Sequence, residues 1–487
     1  MAGVRERLVK GAILVTAARL LGSLISLTST VVLARWLVPA DFGLVALATT
    51  ILAIMSTLTN VSLSAALIQL RDVTRDHLDT AFTLNSLRGL AIALVACVAA
   101  APIAYFAKEP RLLLLVVVLS PTLILEGITN PRQAMMLKEL VYWPQLLMQL
   151  SQKLAGLIVS VTIALMFRTY WALPLGALAG QLVSTALSYS ILPYRPRLGF
   201  KHFRDLWSFS LWLTLGQALT TISWRLDSLV VGTVLGRAPL GHYSVGENVA
   251  NLPTREATMP LYATLFPALA SLRDSPQQIA RAYQRAQTFL TAVALPLGVG
   301  TSLVAEPLVH LMLGPGWEPA IVVVQVLATS SAICTLSSLT HSLGMATGHT
   351  RLLFRRDWQV LLVRVPVVVG LMYLWGMPGV LLGRAIAAVV DTWANLAIAA
   401  EITGLGYWQQ LRANGRSFLS IILMTLAVLA LPKLGGDVAQ IALKASVGAA
   451  VYVAARFASW RLLGKPDGPE VELMGLAGRV LGRFRPA

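Results

Sequence analysis

Arg19, Arg225 and Arg255 carry charge inside long apolar runs. One Arg or Asp at the centre of a spanning helix costs ~2.5–3.5 kcal/mol, so such residues turn toward a bundle interior or a wet cavity. Their neighbours share that preference. Thr16, Arg19, Ser23, Ser26 and Thr30 follow steps of three and four and make one polar stripe on a helix. Thr214, Gln217, Thr221 and Arg225 repeat the pattern, with Thr220, Ser223 and Asp227 beside them. Ser244, Asn248, Asn251 and Arg255 form a third stripe. Gln145, Gln149 and Gln152 lead to Lys153, Asn85 leads to Arg88, and Ser56, Asn60 and Ser64 lie one turn apart. The chemistry this set offers is anion binding. A guanidinium donates two parallel bonds to a phosphate or pyrophosphate. Neutral amides and hydroxyls suit a hydroxyl-rich group such as a sugar. The candidate substrate-binding residues are therefore Arg19, Arg88, Lys153, Arg225, Asn248, Asn251 and Arg255. Asp227, Arg384 and Asp391 are candidates for a coupling or structural ion pair.

Each of these has a plainer reading. Ser and Thr stripes pack helices together. Arg225 or Arg255 neutralises Asp227, leaving no free charge. Arg88 and Lys153 snorkel toward a membrane surface. Arg384 and Asp391, two turns apart on one face, are structural. Arg35 and Arg364 read as anchors near span ends, and Lys444 and Arg456 lie beyond the repeated part of the chain. His310 and His341 are isolated, and Cys97 and Cys334 sit in apolar runs without metal-ligand spacing. No cofactor or metal is implied.

The elements that must position these residues are membrane spans. Apolar residues make up 56% of the 487-residue chain. They fall into roughly fourteen runs, each near the ~20 residues a bilayer crossing needs. The expected fold is an all-α polytopic membrane protein. Short loops separate the runs, and their basic residues are sorted. One set of alternate loops, with the tail, holds nearly all of the loop Lys and Arg. The other set holds only Lys108, Arg111, Arg168, Arg237 and Lys433. By the positive-inside rule both termini are cytoplasmic and the number of spans is even. This sorting accounts for most of the +17 formal charge, so no nucleic-acid partner is expected. The basic start followed by a long apolar run reads as a retained first helix. The outer loops are too short for the acceptor site of a membrane polymerase or ligase, which argues against an enzyme.

The loop after the first helix, Leu37-Val38-Pro39-Ala40-Asp41-Phe42-Gly43, returns as Leu235-Gly236-Arg237-Ala238-Pro239-Leu240-Gly241, at an offset of 198 residues. Duplication then gives two six-helix lobes, 1–192 and 193–402, related by a pseudo-two-fold about the membrane normal. Residues 403–487 add two helices and a cytoplasmic tail. Short interfacial elements are expected over 199–207 and 407–412, and residues 471–484 have an amphipathic pattern.

The segment Leu33-Ala34-Arg35-Trp36-Leu37-Val38-Pro39-Ala40-Asp41-Phe42-Gly43-Leu44 resembles a signature of the polysaccharide flippases, a branch of the multidrug/oligosaccharidyl-lipid/polysaccharide exporter superfamily. Arg225-Leu226-Asp227 with Leu240-Gly241-His242-Tyr243, Asn251-Leu252-Pro253 with Leu265-Phe266-Pro267, and Gly314-Pro315-Gly316-Trp317 are similar to three further family patterns. The resemblance implies a V-shaped central cavity. It also implies transport of an undecaprenyl-pyrophosphate-linked oligosaccharide across the bacterial inner membrane, for O-antigen, lipopolysaccharide or exopolysaccharide synthesis. It implies contact with membrane lipid and with the polymerase and glycosyltransferases of the same pathway. Arg19, Arg225 and Arg255 match the family's cationic cavity by helix and depth, Arg88 and Lys153 less closely. A lipid II-type flippase and a cation-coupled drug exporter are the alternatives on the same scaffold. The drug exporters often carry an acidic residue in the first helix, where this chain has the Arg19 stripe.

Overall fold

A computed structural model describes residues 2–59, 63–70, 72–203, 221–272, 275–433, 435–464 and 470. The described residues form helices joined by loops, with no strand among them. The chain divides into two compact units, Met1–Val245 and Gly246–Ala487.

The first unit opens with α1 (Ala2–Ala34), α2 (Pro39–Thr59), α3 (Leu63–Gln69) and α4 (Arg75–Phe106). It continues with α5 (Arg111–Leu119), α6 (Pro121–Gly127), α7 (Arg132–Lys138), α8 (Trp143–Phe167) and α9 (Ala172–Ile191). A described helical stretch, α10 (221–230), runs into a π-helical turn at Val231–Leu235. The start of α11 (Arg237–Ala270) completes the unit. The second unit holds the rest of α11, then α12 (Pro276–Leu303), α13 (Ala305–Leu313), α14 (Pro319–Cys334) and α15 (Thr340–Ala346). It ends with α16 (Thr350–Trp375), α17 (Met377–Thr403), α18 (Tyr407–Ala413), α19 (Gly415–Leu429) and α20 (Asp437–Leu462).

Among the described residues eight helices are long and apolar enough to cross a membrane: residues Leu14–Ala34 of α1, then α2, α4, α8, α12, α16, α17 and α20. The protein is a multi-pass membrane protein. The described parts of the other apolar runs are also helical, and several depart from a simple span for visible reasons. The run near 112–130 breaks at Pro121 and bends by 56° on entering α7, just past Pro131. Proline has no N–H to donate and clashes with the preceding turn. The run over 318–346 is split between α14 and α15. Helix α19 is short, and α11 carries Glu247, Arg255 and Glu256. Most of the seventh run, with Thr214, Gln217 and Thr220, lies outside the described residues, as do Asn60 and the amphipathic stretch 471–484.

Lipid tails are as apolar as Leu, so helices in a bilayer associate through close packing rather than hydrophobic burial. Glycines set that packing here. A methyl on Gly89 of α4 would stand 2.6 Å from the Leu123 carbonyl oxygen of α6. One on Gly180 of α9 would stand 2.5 Å from the Gln152 carbonyl oxygen of α8. Outward faces are apolar, with Val98, Phe106 and Leu374 all more than 70% exposed. In the second unit Tyr283, Leu290, Leu339 and Leu343 form a fully buried cluster joining α12 to α15.

The stretch after α9 is not helical up to His202. It is strapped to the start of α4 instead. The Tyr194 hydroxyl donates to Asp79 Oδ1 at 2.6 Å, Gly199 N donates to Thr83 Oγ1 at 2.9 Å, and Lys201 Nζ meets Asp76 Oδ2 at 2.7 Å. The His202 ring stacks on His77 at 3.7 Å. Of the interfacial helix expected over 199–207, residues 204–207 lie outside the described residues. Its counterpart after the second set of spans forms as α18, with Trp408 exposed.

Candidate functional site

In the first unit the cations sort into two kinds. Arg88 and Lys153 are tied to backbone. The Arg88 guanidinium donates from Nη2 to the carbonyl and the hydroxyl of Ser56, at 3.0 Å each, and from Nε to Thr59 Oγ1 at 3.5 Å. These bonds tie α4 to the last described turn of α2. Lys153 of α8 donates to the Gly22 carbonyl of α1 at 2.9 Å, and the same oxygen accepts from Ser26 Oγ. The absence of a side chain at Gly22 makes room: a methyl there would sit 3.1 Å from Lys153 Nζ.

Arg19 and Arg225 are of the other kind. Both are exposed, and among the described residues neither is in an ion pair. Arg19 lies within the apolar part of α1. An Arg inside a span favours a polar space or a reach to the membrane surface over lipid. Two residues past Arg225 the helix has turned by about 200°. Asp227 accordingly points inward, is 1% exposed, and accepts from the Tyr243 hydroxyl of α11 at 3.5 Å. Gln152 and Gln181 bond each other at 2.8 Å across α8 and α9.

In the second unit Asn248 and Arg255 are exposed on α11, and Arg255 Nε pairs with neighbouring Glu256 at 3.2 Å. Asn251 Oδ1 accepts from the Ser331 hydroxyl of α14. Arg384 and Asp391 share a face of α17, yet each has a partner on another helix. Arg384 Nη2 meets Glu247 of α11 at 3.5 Å, and Asp391 accepts from Arg356 of α16 at 3.1 Å. Arg356 also pairs with Asp357 at 3.3 Å. Arg364, read from sequence as a span-end anchor, is 6% exposed in the middle of α16. Burial rather than anchoring explains it.

Several residues that sequence reasoning passed over belong to this picture. Glu247 sits on α11 one residue from Asn248, and its spacing to Ser244 and Asn251 was the available signal. Glu470 is fully buried and joins Arg416 and Arg456, each at 3.0 Å. Arg456 also donates to Ser417 Oγ at 2.7 Å. Among the described residues no group of three or more His, Cys, Asp or Glu could hold a metal ion.

Residues 32–322 match a family described as polysaccharide biosynthesis protein. This chain belongs to that family. The match covers more than half of the sequence and includes the Leu33–Leu44 signature, so the resemblance to the polysaccharide flippases stands. Lipopolysaccharide biosynthesis protein WzxC of Escherichia coli (strain K12) is 25% identical over 400 residues, covering 80% of each chain. Succinoglycan biosynthesis transport protein ExoT of Rhizobium meliloti (strain 1021) is 24% identical over 391 residues, covering 80% of this chain and 77% of its own. Among solved structures, lipid II flippase MurJ in an inward closed conformation superposes with a TM-score of 0.77 at 14% identity, over 93% of this chain and 99% of that one. A MATE-family multidrug transporter in an inward-facing conformation gives 0.62 at 14% identity, over 78% and 95%. These likenesses show the fold of the exporter superfamily.

Proposed function

We propose that the protein is a flippase, not an enzyme. It moves an undecaprenyl-pyrophosphate-linked oligosaccharide repeat unit across the bacterial cytoplasmic membrane, from the inner to the outer leaflet, for surface polysaccharide synthesis. The observation that carries this reading is the exposure of Arg19 and Arg225 on helices of the first unit, and of Asn248 and Arg255 on α11 in the second. Arg19 and Arg225 grip the pyrophosphate, Arg255 adds positive charge near Glu256, and the amides meet the sugars. The polyprenyl tail stays in lipid. Arg88 and Lys153 shape the site by holding α2 and α1 in place, and Arg384 and Asp391 act as structural ion pairs.

The full arrangement is fourteen spans in two six-helix lobes, 1–192 and 193–402, with both termini cytoplasmic. Helices α9, α11 and α19, the α14–α15 pair, the bent α5–α7 run and the seventh run join the eight clear spans to make that number. Rocking of the lobes exposes the cavity to one side at a time. Outward movement of two negative charges is favoured by an inside-negative potential, at ~2.3 kcal/mol per charge per 100 mV. The apolar stretch of α1, Leu14–Ala34, holds Arg19 and no acid, which favours an anionic cargo over the cationic cargo of a drug exporter. Combined Arg19→Ala and Arg225→Ala tests the reading. Surface polymer should fall at least tenfold with the protein still in the membrane; unchanged polymer would remove these residues from the substrate path.

A further inference from the structure

We propose that Arg416 and Arg456 form a binding site for a phosphate group at one end of the α19–α20 pair, a site that the chain's own Glu470 fills here. The inference does not depend on the flippase reading. All of its residues lie in the second unit. Arg416 and Ser417 stand in the first turn of α19, and Arg456 in the last two turns of α20. The partial positive end of a helix favours an anion. Arg416 Nη1 donates to Glu470 Oε2 at 3.0 Å, and Arg456 Nη1 donates to Ser417 Oγ at 2.7 Å. Arg456 is 5% exposed and Glu470 is 0% exposed, so the site is desolvated at its floor. Arg416 keeps 15% of its side chain exposed, which leaves a way in. Arg412 and Arg461 are exposed at the same end of the helix pair.

Two observations distinguish a ligand site from a fixed clip. The first is charge. Two guanidiniums meet one carboxylate, so the contact is short of negative charge. The second is geometry. Arg456 Nε lies 3.0 Å from Glu470 Oε1, yet among the described residues neither atom makes a hydrogen bond. The ions are close but misaligned, and a buried donor and a buried acceptor are left unmet. A carboxylate has two oxygens in one plane, and here it lines up with Arg416 alone. A phosphate group has three free oxygens on a tetrahedral centre and up to two negative charges. It can accept from Arg416 and from Arg456 Nε together and match both cations. The headgroup of a membrane lipid and free phosphate share this chemistry.

Chemical rescue tests the site. Purified full-length Glu470→Gln keeps the shape of the side chain and removes its charge, so two guanidiniums lose their anion and the thermal midpoint should fall by several degrees. Inorganic phosphate, or phosphatidic acid in mixed micelles, should restore most of that loss. Sodium chloride at matched ionic strength and diacylglycerol should not. Rescue by phosphatidic acid alone assigns the site to a lipid headgroup, and rescue by inorganic phosphate as well shows that the free ion suffices; either upholds the site. Adding Arg416→Gln should abolish the rescue, whereas adding Arg461→Gln, on an exposed neighbour, should leave it. No rescue by either phosphate source, rescue that survives Arg416→Gln, or rescue lost with Arg461→Gln would overturn the proposal. A second measurement does not need Glu470→Gln to fold. The unmutated protein should retain radiolabelled phosphatidic acid or phosphate, and Ser417→Ala, which frees Arg456 Nη1 from its present acceptor, should change that retention several-fold. Equal retention by the two proteins would also overturn it.

Discussion

Arg384 and Glu247 form an ion pair at 3.5 Å between α17 and α11, with 13% and 26% of their side chains exposed. They are 137 residues apart in sequence. Removing Arg384 takes a charged partner from a mostly desolvated carboxylate, at a cost of about 1–3 kcal/mol. Arg384→Ala should therefore lower the thermal midpoint of the purified protein sharply. Glu247→Gln in the same chain should recover much of the loss, because it removes the stranded charge. A double mutant no better than Arg384→Ala alone would assign Arg384 a different role.

The two kinds of cation in the first unit predict two phenotypes. Lys153→Met and Arg88→Met break bonds to helix carbonyls, so stability should fall by about 1–3 kcal/mol. Arg225→Ala removes an exposed side chain, so stability should stay within about 0.5 kcal/mol while export fails. Detergent melting curves beside surface-polymer assays separate the two. The assignment fails if Arg225→Ala melts early or Lys153→Met does not.

The eight clear spans were legible because hydropathy is a local property of sequence. A run of Leu and Val announces a helix whatever its partners, and the helices at Leu14–Ala34, Arg75–Phe106 and Asp437–Leu462 lie where hydropathy puts them. The polar stripes were legible as stripes, but not as what they touch. Spacing gave the α17 face shared by Arg384 and Asp391, yet their partners Glu247 and Arg356 come from α11 and α16. Which side of a helix meets a neighbour depends on rotation within the bundle, and periodicity in one helix leaves that angle open. Gly22 shows the same limit. It reads as an unremarkable glycine until Lys153 of α8 fills the space above it.

Glu470 illustrates how a charge beyond the spans can be structural. Arg416 and Arg456 converge on it from α19 and α20, and the Tyr452 hydroxyl donates to the Ala292 carbonyl of α12 at 2.8 Å beside them. Arg456→Leu should destabilise by about 3–5 kcal/mol, since it strips a partner from a fully buried carboxylate. Adding Glu470→Leu should restore part of that stability. Melting temperatures of the single and double variants check the coupling.

The strap between α9 and the start of α4 carries a pH signature. Burial first, then the hydrogen bond to Asp79, pushes the Tyr194 phenol upward. The hydrogen bond and charge of Asp76 push the exposed Lys201 amine upward as well. Both groups hold their protons more tightly in the fold than in the unfolded chain. Their contribution is therefore fully present below the unfolded values, ~10 for each, and is lost as pH rises through the folded values. Protease nicking of the strap should be flat from neutral pH to pH ~9 and rise above that. Tyr194→Phe, which loses the bond to Asp79, should nick faster at neutral pH. Equal nicking of both proteins across the whole range would contradict the strap.

The central claim concerns cargo and direction, and a strain lacking this gene tests it most directly. Undecaprenyl-linked glycans are extracted and assigned to a leaflet, with surface polysaccharide measured in parallel. The account predicts a complete repeat unit trapped on the cytoplasmic side and loss of the surface polymer, both reversed by the intact gene and not by the Arg19→Ala, Arg225→Ala variant. Normal polymer with no trapped intermediate would contradict it.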